Sequence, residues 1–328
     1  MGDIVSGSSM NDYFSKRNMI TGISGLAFTL IGGLMLSYSG FETTFLFAIV
    51  IGLTAVVFFS RMHETVIRKE YHYKYSLSLR PSRLLNFVRI NRNYTMFTAY
   101  VTMVNFAVDI ASPFIVVYIL KDLHIEYGLF AVVLTVGLVS KIIFFRYWGI
   151  MANRYSNRAV LIVTGILISF VPFGYMLSSN IYEILIVRIF DGFAWAGFDL
   201  ILFNYLIGIT PSEGRPSYVA NHTLISGVGS ITAALAGGWL AMGFAGSTFL
   251  IFSGLQILFL LSFVLRLGTI TFLFKIKDVD VKSPDFSLSF ILWRMVAVEP
   301  VRGIKNFRDI ILGRHDTRFA KGKYEFRT

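Results

Sequence analysis

Long apolar runs separated by short polar gaps set the pattern of this chain. Eight runs are long enough, or nearly so, to cross a bilayer: about 19–38, 44–60, 94–120, 128–149, 159–178, 183–209, 218–241 and 247–266. A spanning helix needs about 20 apolar residues to cover roughly 30 Å of hydrocarbon. The pattern therefore predicts an all-α, polytopic membrane helix bundle of about eight transmembrane helices. The polar gaps alternate in charge. The stretch "RMHETVIRKEYHYKYSLSLRPSRLLNFVRINR" carries eight Lys or Arg against two Glu. The gap at 150–158 holds Arg154 and Arg158, that at 210–217 holds Arg215, and the tail beyond 266 is rich in both types. The gaps between them, "SGFETT", "KDLHIEYG", "SSNI" and "GFAGS", contain one Lys and no Arg. Basic loops stay on the cytoplasmic side, which predicts a multi-pass protein of the cell membrane with both termini cytoplasmic.

Composition sharpens this picture. Only 15% of residues are charged and 55% are hydrophobic, against roughly 25% charged in soluble domains. The net charge of +11 raises the question of nucleic acid. The basic residues fall almost wholly in the gaps, however, so they read as topology signals, and membrane lipid rather than nucleic acid is the expected partner. With no cysteine, disulfides, thiol catalysis and Cys-ligated metals are excluded. The start, "MGDIVSGSSMNDYFSKRN", lacks the charged-then-apolar order of a cleavable signal peptide. The basic gap divides the chain into a two-helix front at 1–60, a cytoplasmic linker at 61–93, a six-helix block at 94–274 and a cytoplasmic tail at 275–328. In the tail, "FSLSFILWRMVAV" is too short to span and is broken by Arg294, which predicts an interfacial helix.

The gap "RYWGIMANRYSNR" resembles the cytoplasmic loop signature of the major facilitator superfamily of secondary transporters. That pattern runs Gly, three residues, Asp, a basic residue, one residue, Gly, then two basic residues. Gly149, Arg154 and Arg158 match it; Asn153 stands in place of Asp, and Ser156 and Asn157 in place of the next Gly and basic residue. The resemblance implies that Gly149 permits close helix packing and that Arg154 and Arg158 hold carboxylates or cap helix ends. In the same register "DYFSKRNMITGISG" resembles the start of the family's fifth helix, "NFAVDIASPFIVVYILKDL" its seventh and "RIFDGFAWAGFDLILFNYL" its tenth, an ordered set over nearly all of residues 11–275. It implies two six-helix halves rocking about a midplane site. On that register the front two helices are the fifth and sixth. A separately encoded N-terminal half, or a longer parent chain, is therefore expected as a partner. Gly22, Gly25, Gly32 and Gly33 occur without the Gly-Pro ending of drug antiporters, which weighs against drug–proton exchange.

Ionisable residues inside spans are costly and face a cavity or a partner. Arg188, Asp191, Gly192, Trp195 and Asp199 fall within about a 100° arc of one helix. Arg188 and Asp191, three apart, are placed to pair, the bland reading being a structural pair. Asp199 has no such neighbour and is read as carrying a proton or touching substrate. Asp109, four residues before Pro113, belongs to the helix that the resemblance sets along the cavity. Lys141 lies on the next run as its potential neutraliser, snorkelling being the alternative. Arg146 and Arg266 are read as snorkelling to headgroups. Gly229, Ala233 and Gly237 form a small-residue stripe for helix packing. An intramembrane protease reading rests only on "GISG" with Ser24 and on His222 as base. No His-Glu-x-x-His, Walker loop or metal-ligand cluster occurs, so neither cofactor nor metal is expected. The expected function is secondary-active transport of a small-molecule substrate by alternating access, driven by an ion gradient, and not enzymatic. The alternative is a non-transporting remnant or a transporter-like sensor.

Overall fold

The computed structural model describes residues 10–61, 92–211, 215–244, 248–249 and 252–276. Most of the basic linker, and the tail with its predicted interfacial helix, lie outside the described residues.

Helix α1 runs Met10–Ser60 and is broken at Gly40, whose φ of 77° and ψ of 179° no other residue adopts easily. The break falls in the polar gap "SGFETT", so the two front runs form two helical stretches. The third run is also interrupted. Helix α2 (Arg92–Asp109) stops, and α3 (Ser112–Val117) restarts with Pro113 in its first turn, where a missing N–H costs nothing. A wide turn at Tyr118–Asp122 closes that segment. Then follow α4 (Tyr127–Tyr155), α5 (Asn157–Leu177), α6 (Ile181–Ile209), α7 (Arg215–Phe244) and α8 (Gly254–Lys275). Among the described residues the only extended segments, Thr248–Phe249 and Phe252–Ser253, pair antiparallel ahead of α8. Among the described residues six stretches are long and apolar enough to cross a membrane on their own. Together with the first part of α1, and with α6, which carries four ionisable residues, they account for the eight predicted runs.

Two boundaries differ from the expectation in ways that matter. The gap at 150–158 is almost entirely helical: α4 continues to Tyr155, Ser156 alone makes the turn, and α5 starts at Asn157. The last run, expected at 247–266, instead forms a helix at Gly254–Lys275, opened by a reciprocal cap between Ser253 and Gln256. The shift moves Arg266 from the end of the predicted span to the middle of the real one.

In lipid, burial drives helix association weakly, and close approach of small residues replaces it. Helices α4 and α6 pack along their length; α6 also packs on α5, α5 on α8, α8 on α2 and α2 on α7, while α1 lies along α4 and touches α6. Gly197 of α6 admits the Trp148 ring of α4, whose indole N–H donates to the Phe193 carbonyl at 2.8 Å. Gly229 and Gly237 of the small-residue stripe lie against Thr102 and the Ile110 carbonyl of the α2 segment, so the stripe packs as its spacing predicts.

Candidate functional site

The seam between α4 and α6 carries most of the predicted site. A Cβ on Gly192 would stand 2.4 Å from the Gly137 carbonyl oxygen, so the two helices meet backbone to backbone. Ser140 ties them by donating to the Ile189 carbonyl at 2.7 Å. The same closeness lays the Arg188 guanidinium across Gly137. Arg188 Nη1 pairs with Asp191 Oδ2 at 2.9 Å, as the three-residue spacing predicts. It also donates to the Tyr175 hydroxyl of α5, and Nε donates to the Val133 carbonyl, each at 3.3 Å. Arg188 thus bridges three helices.

Asp199, read from sequence as unpaired, is paired. Lys141 Nζ lies 2.5 Å from its Oδ2, the two side chains 30% and 35% exposed. Lys141 sits one turn beyond Gly137 and Asp199 two turns beyond Gly192, so the α4–α6 contact brings them face to face. Asp109 is not the partner of Lys141, because α2 does not pack along α4. Asp109 ends α2, partly exposed, with no ion pair among the described residues. The two ion pairs follow one another along α6, about 12 Å apart at 1.5 Å per residue.

Arg266 corrects the snorkelling expectation. It is 3% exposed; Nε donates to Ser262 Oγ at 3.1 Å and Nη1 to the Ile168 carbonyl at 2.8 Å. Mid-helix placement is the cause: from the middle of α8 the side chain turns inward to α5 rather than reaching headgroups. Arg266, Arg188, Asp191 and Trp195 line a cavity of about 270 Å³ whose other walls are mostly apolar, from Val108 and Ile115 to Phe130 and Val171. Sequence reading missed Arg266 because its depth depends on where α8 begins. Arg146 is exposed.

The loop signature is the second polar centre. Gly149 packs on Ser15 and the Asn11 carbonyl of α1, where a Cβ would fall 2.8 Å from the Ser15 side chain. Asn153 accepts from Asn11 Nδ2 at 3.0 Å and donates to Asp12 Oδ1 at 2.9 Å. Asn11 in turn accepts from Asn204 of α6 at 2.7 Å. This Asn153–Asn11–Asn204 chain clasps α1 to α4 and α6; Asn11 and Asn204 carried no signal in sequence because each is an ordinary polar residue until its partners are known. Arg158 reaches the Phe274 carbonyl at the end of α8, at 3.5 Å, as a cation capping a helix C-terminus. Arg154 lies over the Tyr155 ring, 5.5 Å from its centroid. Ser24 and His222 lie on α1 and α7, which do not pack together. His222 faces the Thr98 hydroxyl and stacks on Phe97.

A bundle of long apolar helices with charge pairs along one helix seam and a polar clasp at the loop is the architecture of a polytopic membrane protein. The sequence model of the Major Facilitator Superfamily matches residues 96–302, more than half of the chain, and the protein belongs to that superfamily. The chain is also 28% identical over 110 residues to the multi-drug resistance efflux pump PmrA of Streptococcus pneumoniae, in serotype 4 strain TIGR4 and in strain R6. That match covers 33% of this chain and spans only 27% of each relative's length. The family points to membrane transport rather than enzymatic catalysis.

Proposed function

We propose that the protein moves a small solute across the cell membrane by alternating access, coupled to an ion gradient, with both termini in the cytoplasm. The observation that carries this reading is the pair of ion pairs, Arg188–Asp191 and Lys141–Asp199, on the α4–α6 seam of an otherwise apolar bundle. Charge in a span is costly, and two successive pairs give a solute or proton a polar route. On this reading Asp191, Arg188, Asp199 and Lys141 line the pathway, and Asp109 adds a carboxylate from the α2 side. The block at 94–274 serves as one half of the cavity, and a second half completes it, because Lys141 and Asp199 keep part of their surface open. On the same reading the loop motif at Gly149, Asn153, Arg154 and Arg158 holds one conformer. Similarity to an efflux pump supports transport; the missing Gly-Pro ending in α1 leaves a drug–proton exchanger less favoured.

Flux into proteoliposomes tests the reading, measured with and without a front half supplied as a separate chain. Asp199→Asn is expected to keep the fold and downhill exchange but to abolish gradient-driven accumulation, because Asn preserves shape and cannot titrate. Undiminished accumulation in the Asp199→Asn, Asp109→Asn double variant would reduce both carboxylates to structural groups.

A further inference from the structure

We propose that the cavity beside α8 takes an amphipathic organic anion, its charged head between Arg266 and Arg188 and its apolar body against Ile115, Phe130, Val171 and Trp195. This deepens the transport reading, on which it rests for treating the occupant as cargo.

Three charged residues line the cavity, two cationic and one anionic. Asp191 is taken up by Arg188 at 2.9 Å. Arg266 is left without a carboxylate at ion-pair distance among the described residues. The carboxylates that face it from neighbouring helices, Asp191 on α6 and Asp109 on α2, act on it only from further away. Its hydrogen bonds go to two neutral oxygens, the Ser262 hydroxyl and the Ile168 carbonyl, through Nε and Nη1. Nη2 makes no hydrogen bond among the described residues and belongs to the residue that forms one wall of the cavity.

A buried cation without a counter-ion is unfavourable unless something anionic joins it. A guanidinium is also the side chain whose donor fork fits a carboxylate. The remaining walls offer mainly hydrocarbon, the Ser112 hydroxyl and the Trp195 indole, so the body of the ligand is apolar. At about 270 Å³ the space suits one ring or a short chain rather than a large drug. A free carboxylic acid and a lipid-derived fatty acid share this chemistry.

Equilibrium dialysis of the purified full chain in neutral detergent decides it, with benzoate, benzamide, benzylamine and dodecanoate as probes and protein-free micelles as the blank. Benzoate is expected to bind about tenfold or more tighter than benzamide, the worth of a hydrogen bond between charged groups, and benzylamine weakest. Dodecanoate binding tighter than benzoate assigns the occupant to lipid-derived acids; the reverse order assigns it to soluble ones. Arg266→Gln is expected to erase the acid-over-amide preference and Arg266→Lys to keep part of it. Where Arg266→Gln fails to stay monodisperse, the acid-to-amide ratio on the unaltered chain carries the test alone. Equal binding of benzoate and benzamide, preference for benzylamine, or no binding of either acid overturns the proposal. Dialysis needs no flux, so a chain that binds benzoate and moves nothing sinks the transport reading only. A chain that transports yet binds no acid sinks this one only.

Discussion

Ser156 stands where the loop signature of the superfamily has glycine, and its backbone shows why glycine belongs there. Its φ of 122° and ψ of 158° lie in a region that side chains rarely occupy. In exchange its hydroxyl accepts the Ala159 N–H at 3.2 Å and caps α5. Releasing the strain is worth about 1–3 kcal/mol, while Ser to Gly at a cap loses only about a few tenths. Ser156→Gly is therefore expected to raise the thermal unfolding midpoint of the detergent-solubilised chain; a fall would mean the cap outweighs the strain. Asn153 makes the converse case. The family residue there is Asp, but here its amide N–H faces Asp12 Oδ1 at 2.9 Å. Asn153→Asp would set carboxylate against carboxylate and is expected to loosen the start of α1 by about 1 kcal/mol, read as a lower thermal unfolding midpoint, with Asp12→Asn restoring it.

Among the elements, the helix contacts that matter are those where a glycine lets backbones touch. A Cβ on Gly237 would stand 2.2 Å from the Ile110 carbonyl oxygen, at the break between α2 and α3, whereas one on Gly238 meets nothing within 4 Å. Gly237→Ala is expected to cost about 1–3 kcal/mol through overpacking, and Gly238→Ala to be neutral or to gain up to about 1 kcal/mol from helix propensity. Thermal unfolding of the two variants side by side checks this, and equal midpoints would remove Gly237 from the contact. The spacing of Gly229, Ala233 and Gly237 made the stripe readable. Its partner was not, since nothing in the period of α7 says that α2 rather than another helix covers it. The start of α8 was misread for a related reason: "GFAGSTFLIFSG" is as apolar as a helix, and only the pairing of Phe249 with Phe252 and the Ser253 cap show where the helix begins.

At the scale of the whole molecule, the Lys and Arg asymmetry sets an orientation that reporter fusions test. A reporter after Thr328 or within 70–80 is expected to face the cytoplasm and one within 122–126 the outside, and the reverse at either site would overturn the proposed topology. The number and order of the apolar runs, the polar stripe on α6, the Arg188–Asp191 pair and the family resemblance were all determined by sequence alone. Each depends on composition or on spacing within one helix, and those are fixed by the chain and by the need of lipid-embedded backbone to satisfy its own hydrogen bonds. Tertiary structure alone decided that Lys141 meets Asp199 rather than Asp109, that Asn11 joins Asn153 to Asn204, and that Arg266 turns into a cavity instead of out to headgroups. Those are contacts between helices. They are set by which glycine faces admit a neighbour and by where a helix starts, and a shift of one or two turns redirects a charged side chain from the membrane surface to the core.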